Sequence, residues 1–236
     1  MKNFSAPNKS GMGARGRGQK DPGAKKKGRV KKILVHMCCG PCSIYPLKVI
    51  MKEEAEITGF FHNPNIHPLS EFRSRLGAVK KLSRLMGLDV IYDEEYRPTS
   101  FIRNVKILTG KDAGEAKRPP FAERCAYCYS SRLEETARAG FELGFDAFTT
   151  SLLYSKYQNH ADIVSRGFEL EKKYGVEFFY RDFRGGWYEG INESRALGLY
   201  RQKYCGCIYS KIERDEEKRL RKRLKEERKK LGKACG

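Results

Sequence analysis

The sequence predicts an α/β fold in which a parallel sheet carries helices on both faces. Short apolar runs alternate with amphipathic helical patterns, and the order begins strand, helix, strand, helix, strand. The 236-residue chain also has 13 Phe and 13 Tyr, enough to fill one core. We expect an α/β domain over residues 30–210, a disordered basic tail over 1–29 and a basic helix over 211–236.

The first half of the chain alternates between the two patterns. Residues 31–37 form a short apolar run typical of a buried strand, which ends in Cys-Cys-Gly-Pro-Cys. Apolar residues share one helical face over residues 43–54, which predicts a helix. The elements expected next are a strand at 57–61, a helix at 69–86 closed by Gly87, and a strand at 89–92.

In the second half, Pro119-Pro120 interrupts the pattern ahead of Cys125. After that break, apolar stripes and runs again predict helices and strands in alternation. The expected elements are a helix at 130–143, a strand at 145–150, a helix at 162–174, a strand at 176–180, a short helix at 194–199 and a polar helix at 211–231.

The net charge of +19 is concentrated at the two ends of the chain. Residues 1–29 carry nine Lys/Arg against one Asp, and residues 211–236 carry twelve Lys/Arg against six Asp/Glu. Such tails suit a polyanion such as nucleic acid, or serve only as solvated faces. No apolar run approaches the roughly 20 residues of a membrane span, and no apolar leader begins the chain. We therefore expect a cytoplasmic protein that does not bind membranes.

Seven of the eight cysteines fall into three groups. The groups are Cys38, Cys39 and Cys42; Cys125 and Cys128; and Cys205 and Cys207. In a reducing compartment structural disulfides are not expected. Each group is expected in a loop or at a strand end, and ligands bind at the carboxyl edge of open parallel sheets, so the groups can meet there.

The cysteine spacing leaves several kinds of site open. Zinc takes four ligands, often as CxxC pairs, but only Cys125 and Cys128 have that spacing without further cysteines beside them. A [4Fe–4S] cluster takes four thiolates and would leave three for a second metal. A redox dithiol at Cys39-Gly40-Pro41-Cys42 and unpaired core thiols are the other interpretations.

Several motifs in consistent order resemble the epoxyqueuosine reductase family of the QueH type. They cover about residues 32–210. The matching segments are Val35-His36-Met37-Cys38-Cys39-Gly40-Pro41-Cys42-Ser43, Gly59-Phe60-Phe61-His62-Asn63-Pro64-Asn65-Ile66-His67-Pro68, Arg124-Cys125-Ala126-Tyr127-Cys128-Tyr129, Arg132-Leu133, Gly144-Phe145-Asp146-Ala147-Phe148-Thr149-Thr150, Asp182-Phe183-Arg184, and Tyr200-Arg201-Gln202-Lys203-Tyr204-Cys205-Gly206-Cys207.

The resemblance implies an oxidoreductase that converts epoxyqueuosine to queuosine at the tRNA wobble position, the last step of queuosine biosynthesis. It implies a [4Fe–4S] cluster, an adjacent mononuclear iron, and an external one-electron donor of the ferredoxin or flavodoxin kind. The implied fold is similar to nucleotide-binding domains of the adenine-nucleotide α-hydrolase type, although the Ser-Gly-Gly-x-Asp-Ser phosphate loop is absent from the sequence. The alternative is a zinc-stabilised tRNA-binding module without catalysis.

The resemblance also assigns the metal ligands and points to residues around them. All seven grouped cysteines are expected to bind metal. Because adjacent side chains tend to point apart, we divide them as Cys38, Cys125, Cys128 and Cys205 on the cluster and Cys39, Cys42 and Cys207 on the single iron. The candidate catalytic residues are Asp182, as proton donor, Tyr129 and Arg184. The candidate substrate-binding residues are His62, Asn63, Asn65, His67, Tyr200 and Arg201. Each of these residues also has a structural interpretation. His62 and His67 could only stabilise a turn, Asp182 and Arg184 could form a surface ion pair, and the tyrosines could only shield the metals from solvent.

Overall fold

The computed structural model describes residues 31–111, 113 and 118–234. The expected disordered tail over residues 1–29 lies outside the described residues. Within them, no helix is both long enough and apolar enough to cross a membrane.

Five parallel strands form one sheet in the order β3-β2-β1-β4-β5. Val35 of β1 pairs with Gly59 of β2 on one side and Thr149 of β4 on the other. The strands are β1 (Lys31–His36), β2 (Ala55–Phe61), β3 (Asp89–Tyr92), β4 (Ala147–Thr150) and β5 (Glu177–Phe178). This order is doubly wound, with its direction reversing between β1 and β4. The predicted parallel α/β sheet is confirmed.

The helices cover both faces of the sheet, as predicted. The crossovers run outward in opposite directions from β1 and β4, and right-handed crossovers then place their helices on opposite faces. Accordingly α1 packs against α2 and α6, whereas α4 packs against α3, α5 and the central strands. The helices are α1 (Gly40–Ile50), α2 (Leu69–Met86), α3 (Pro98–Thr109), α4 (Phe121–Glu142), α5 (His160–Tyr174), α6 (Trp187–Ala196) and α7 (Ile208–Ala234).

Three helices differ from the sequence-based expectation. The helix α6 spans Trp187–Ala196 instead of residues 194–199. The helix α3 was not predicted, and of its residues only Phe101 and Val105 are buried. The helix α4 begins at Phe121 rather than near residue 130, since Pro120 precedes the helix as its N-cap instead of interrupting it. The predicted loop position of Cys125 and Cys128 is therefore wrong: both lie on the first two turns of α4.

The reversal point of the sheet positions the site. The chain leaves β1 directly into Cys38, and it leaves β4 into a 3₁₀ turn that begins at Ser151. The backbone N–H of Cys38 donates to the Ser151 hydroxyl at 3.0 Å, and the imidazole of buried His36 hydrogen-bonds to the Thr150 hydroxyl at 2.8 Å. These contacts fix the ends of the two strands beside each other.

Candidate metal centre

Three thiols gather in the segment that follows β1. The Sγ atoms of Cys38, Cys39 and Cys42 all lie within 4.8 Å of one another, and 3.8 Å separates the first two. Thiolates at about 2.3 Å from one tetrahedral ion lie roughly 3.8 Å apart. This three-thiol set therefore has the spacing that a single metal ion requires, and three ligands leave a fourth position open.

The turn that carries the three-thiol set depends on a glycine. A Cβ at Gly40 would lie 2.7 Å from the carbonyl oxygen of Ala78, so only glycine lets the first turn of α1 approach α2 this closely. Pro41 follows in the first turn, where a helix leaves its N–H groups unsatisfied. The Ser43 hydroxyl donates to the Cys39 carbonyl at 2.8 Å and closes the turn.

The other four thiols form a second set, which α4 and the segment before α7 supply. Cys125 and Cys128 are one turn apart on α4, and the Sγ atoms of Cys205 and Cys207 are 3.7 Å apart. Burial, followed by the charges of Cys128 and Cys205, raises the pKa of Cys125 to about 12. Cys128 and Cys207 pack in the same small buried cluster, and we call Cys125, Cys128, Cys205 and Cys207 the four-thiol set.

Each thiol set stabilises one thiolate. The pKa of Cys38 lies well below its ordinary value, first because Cys39 and Cys42 hydrogen-bond to it and also because Ser151 does. The pKa of Cys205 is likewise lowered, first by a hydrogen bond from Cys207 and, against the effect of burial, by Ser210. A thiolate is the form that binds metal, so each set is prepared for a cation.

Arg132 lies between the two thiol sets. Its guanidinium donates to the Sγ atom and to the carbonyl oxygen of Cys128, both at 3.1 Å. Burial works to lower its pKa, but the charges of Cys128 and Cys38 raise it. Arg132 is 4% exposed, and no carboxylate of the described residues lies within ion-pair distance of it. Sulfur therefore supplies its counter-charge.

Arg75 of α2 holds the segment that carries Cys205. Its guanidinium donates to the carbonyl oxygens of Cys205 at 3.0 Å and Tyr204 at 2.8 Å, while Glu71 accepts from its Nε at 2.8 Å. Gly206 has φ of 122°, and a Cβ there would lie 2.9 Å from the guanidinium. A buried ion pair on a helix therefore fixes a loop that has no regular secondary structure.

A cavity of about 480 Å³, which we call the thiol cavity, opens beside both thiol sets. Its lining combines thiols, cations and aromatic rings and includes Cys38, Cys42, Cys205, Arg75, Arg132, Arg201, Lys203, Tyr154, Tyr157, Trp187 and Tyr204. The rings of Tyr154 and Trp187 are stacked with centroids 5.1 Å apart. No carboxylate or imidazole of the described residues lines it. The cavity suits a flat, electron-rich ligand.

The six predicted substrate-binding residues divide between this cavity and its supports. Arg201 lines the cavity. The Tyr200 hydroxyl donates to Glu71 and so supports Arg75. His62 and Asn63 line a second cavity of about 280 Å³, where His62 pairs with Asp93 at 2.7 Å. The Asn63 amide donates to the Met37 carbonyl at 3.0 Å, which steadies the residue before Cys38.

Asn65 and His67 also lie outside the lining of the thiol cavity. Asn65 is 2% exposed, and neither its amide nitrogen nor its amide oxygen has a hydrogen-bond partner in the described chain. The imidazole of His67 hydrogen-bonds to the Tyr96 hydroxyl at 3.0 Å, and its backbone N–H donates to the Gly206 carbonyl at 2.8 Å. The loop after β2 therefore packs on the segment that carries Cys205 and Cys207.

None of the three predicted catalytic residues lines the thiol cavity. Asp182 and Arg184 are exposed and pair with each other at 2.6 Å, and the hydrogen bond from Arg184 is the main cause that lowers the pKa of Asp182 to about 2. Tyr129 is buried, its hydroxyl accepts from the Asn159 N–H at 3.1 Å, and burial raises its pKa.

Arg132 and Arg75 are two cations of the site for which no role was expected from the sequence. Arg132 follows Cys128 by four residues, a spacing that places two side chains on one helical face. The signal was present in the sequence but required the correct start of α4. For Arg75, the sequence shows its helical partner Glu71 but not the two carbonyl groups it binds, which lie 129 and 130 residues away.

Comparisons with known proteins relate most of the described chain to one family. A family model described as "Epoxyqueuosine reductase QueH" matches residues 33–213. Curated proteins of that name are 40% identical over 189 residues in Thermotoga maritima and 36% identical over 183 residues in Dehalococcoides mccartyi. Each alignment covers 78% of this chain, with 93% of the first relative and 94% of the second.

A solved structure is more distantly similar. A protein described as a predicted subunit of tRNA methyltransferase from Methanocaldococcus jannaschii aligns with a TM-score of 0.46 and 10% identity, over 70% of this chain and 75% of that one.

Proposed function

The chain belongs to the epoxyqueuosine reductase QueH family, and we propose that its seven thiols hold two iron centres for the reduction of epoxyqueuosine to queuosine in tRNA. The observation that carries the proposal is that thiols of the first and third groups line one cavity, while Cys128 of the second group packs in one buried cluster with Cys207. The reaction takes up two electrons and two protons, forms the alkene and releases water. An external one-electron donor of the ferredoxin or flavodoxin kind supplies the electrons.

We assign the two thiol sets to two different centres. The three-thiol set has single-ion spacing, and we assign Cys38, Cys39 and Cys42 to a mononuclear iron. The four-thiol set matches the ligand number of a [4Fe–4S] cluster. We propose this division instead of the one expected from the sequence, because the three thiols after β1 lie within 4.8 Å of one another. When bound, these centres supply single electrons and a Lewis acid.

The protein's own residues bind and orient the substrate. The stacked rings of Tyr154 and Trp187 offer a face for a base, as aromatic side chains do for unstacked RNA bases. Arg201 and Lys203 line the same cavity and can meet phosphate. Among the lining groups, protons are held on tyrosine hydroxyls, thiols and basic side chains rather than on a carboxyl group.

Nucleoside mass spectrometry of tRNA tests the function. A strain without this gene should accumulate epoxyqueuosine, and the wild-type gene should restore queuosine while a Cys128→Ala variant should not. Unchanged queuosine in the deleted strain would reject the function. A colourless anaerobic preparation that contains zinc and no iron would support the zinc-stabilised binding module instead.

Iron and sulfide counting tests the assignment of the thiols. Wild type should contain about five iron and four inorganic sulfide atoms per chain. Cys42→Ser should remove about one iron and leave the sulfide, whereas Cys128→Ser should remove the sulfide. Loss of sulfide in the Cys42→Ser protein would contradict our division.

A further inference from the structure

The last helix extends beyond the part of the chain that the family model matches. The match ends at residue 213, whereas α7 continues to Ala234. All residues from 216 to 228 are exposed. At 1.5 Å per residue, the helix from Ile208 to Arg228 is about 30 Å long, and it begins directly after Cys207 of the four-thiol set. The first turns bury Tyr209 against the protein body, whereas the outer part of the helix is polar and exposed on every side.

Charge is segregated along α7. Its first part uses acidic residues to attach to the protein body: Glu213 pairs with Arg124 at 2.5 Å, and Glu216 accepts two hydrogen bonds from Arg118 at 2.7 and 2.8 Å. The part from 218 to 228 instead has seven Lys/Arg against two Glu. A merely solubilising helix does not require this division.

The cations of the outer part also favour one face. At about 100° per residue, five of them fall within a stripe roughly 120° wide, on the side opposite to Glu213 and Glu216. The stripe consists of Lys218, Arg221, Lys222, Lys225 and Arg228. Arg221 pairs with Glu217 at 2.5 Å and Lys222 lies 3.9 Å from Glu226, but such exposed pairs are weak and are readily exchanged for phosphate.

We propose that this outer stripe of α7 is a phosphate-binding arm for the tRNA substrate. The inference rests on the proposed function, because that function brings a polyanion to the cavity beside Cys205. The stripe lies about 15–30 Å along the helix from the thiols, so it meets backbone phosphates away from the nucleoside that reacts. A membrane is the less suitable partner, since the exposed apolar residues of the outer helix are Leu220 and Leu224 alone among those described.

The salt dependence of tRNA binding tests the arm in the full-length holoenzyme. Each phosphate contact contributes about 0.7–0.9 to the slope of log affinity against log salt. An Arg221→Gln/Arg228→Gln variant should make the slope less negative by about 1.5 and weaken binding at 100 mM salt by about tenfold or more. The matched control, Arg219→Gln/Arg223→Gln, removes the same charge from the opposite side and should change the slope by less than about 0.5.

Several outcomes would overturn the arm. Equal losses in both variants would indicate only general charge attraction, and an unchanged slope in the stripe variant would reject phosphate contact. Loss of binding to phosphatidylserine vesicles with unchanged tRNA binding would assign the stripe to a membrane. If wild type forms queuosine while the slopes of the two variants agree, the arm fails and the reductase function stands. If no variant and no wild-type protein forms queuosine, the function itself fails.

Discussion

Replacing Arg132 with methionine should make the [4Fe–4S] cluster that we propose for the four-thiol set harder to reduce. The guanidinium donates to Cys128 Sγ at 3.1 Å and has no carboxylate partner among the described residues, so its charge is directed at sulfur. Reduction would add one negative charge to that cluster, and the guanidinium of Arg132 would stabilise the added charge. A hydrogen bond to a charged group contributes about 1.5–3 kcal/mol.

The size of the expected shift follows from that range. For a one-electron couple, about 1.4 kcal/mol corresponds to 59 mV. Complete loss of the interaction would therefore lower the midpoint potential by about 60–130 mV. The potential depends only on how much more strongly Arg132 interacts with the reduced cluster than with the oxidised one. We therefore expect a shift near the lower end of this range.

The assay is an anaerobic redox titration followed by EPR, with iron and sulfide counted on the same samples. Arg132→Lys retains the charge and should shift the potential less than Arg132→Met. Arg201→Met is the matched control, because Arg201 lines the cavity but is exposed, and its potential should stay at the wild-type value. A wild-type potential in Arg132→Met with full metal content would refute the reasoning.

Four further predictions concern the loop, the cavity and the pH dependence. Arg75→Gln breaks a buried ion pair, so it should lower the free energy of unfolding by about 3 kcal/mol and also lower the iron content. An unchanged unfolding transition in calorimetry would contradict this prediction. Trp187→Ala should raise KM about tenfold or more with kcat less affected, since stacking on one base contributes about 1–3 kcal/mol, whereas Trp187→Phe should retain most of the affinity. Asp182→Asn should change kcat less than threefold, because Asp182 is exposed and outside the cavity; a loss of a hundredfold would restore its role as proton donor. Burial works to raise the pKa of Asp93, but the hydrogen bond from His62 and the charge of Arg97 lower it to about 2. The stability that Asp93 contributes is thus present above its unfolded pKa near 4 and lost as pH falls towards 2, on the order of 1–2 kcal/mol, and Asp93→Asn should flatten acid unfolding in that window.

The local elements could be predicted because local patterns determine them. The helix at 69–86 and the strand at 89–92 have the predicted bounds, since a clear apolar stripe and a glycine in the left-handed conformation mark where the helix ends. The family followed from cysteine spacing and neighbouring motifs, which are properties of the chain itself. The predicted start of α4 was wrong because a proline can either interrupt a helix or precede its first turn, and Pro120 precedes the first turn.

The arrangement of the site required the tertiary structure. The sulfur atoms of adjacent Cys38 and Cys39 lie 3.8 Å apart, a distance that the sequence does not report. The position of Arg75 on the carbonyl of Cys205 joins residues 130 positions apart in the chain. Periodicity reports only which face of its own element a side chain occupies. Distances between elements depend on how the buried faces of all the helices and strands pack together, so no single segment of the sequence determines them.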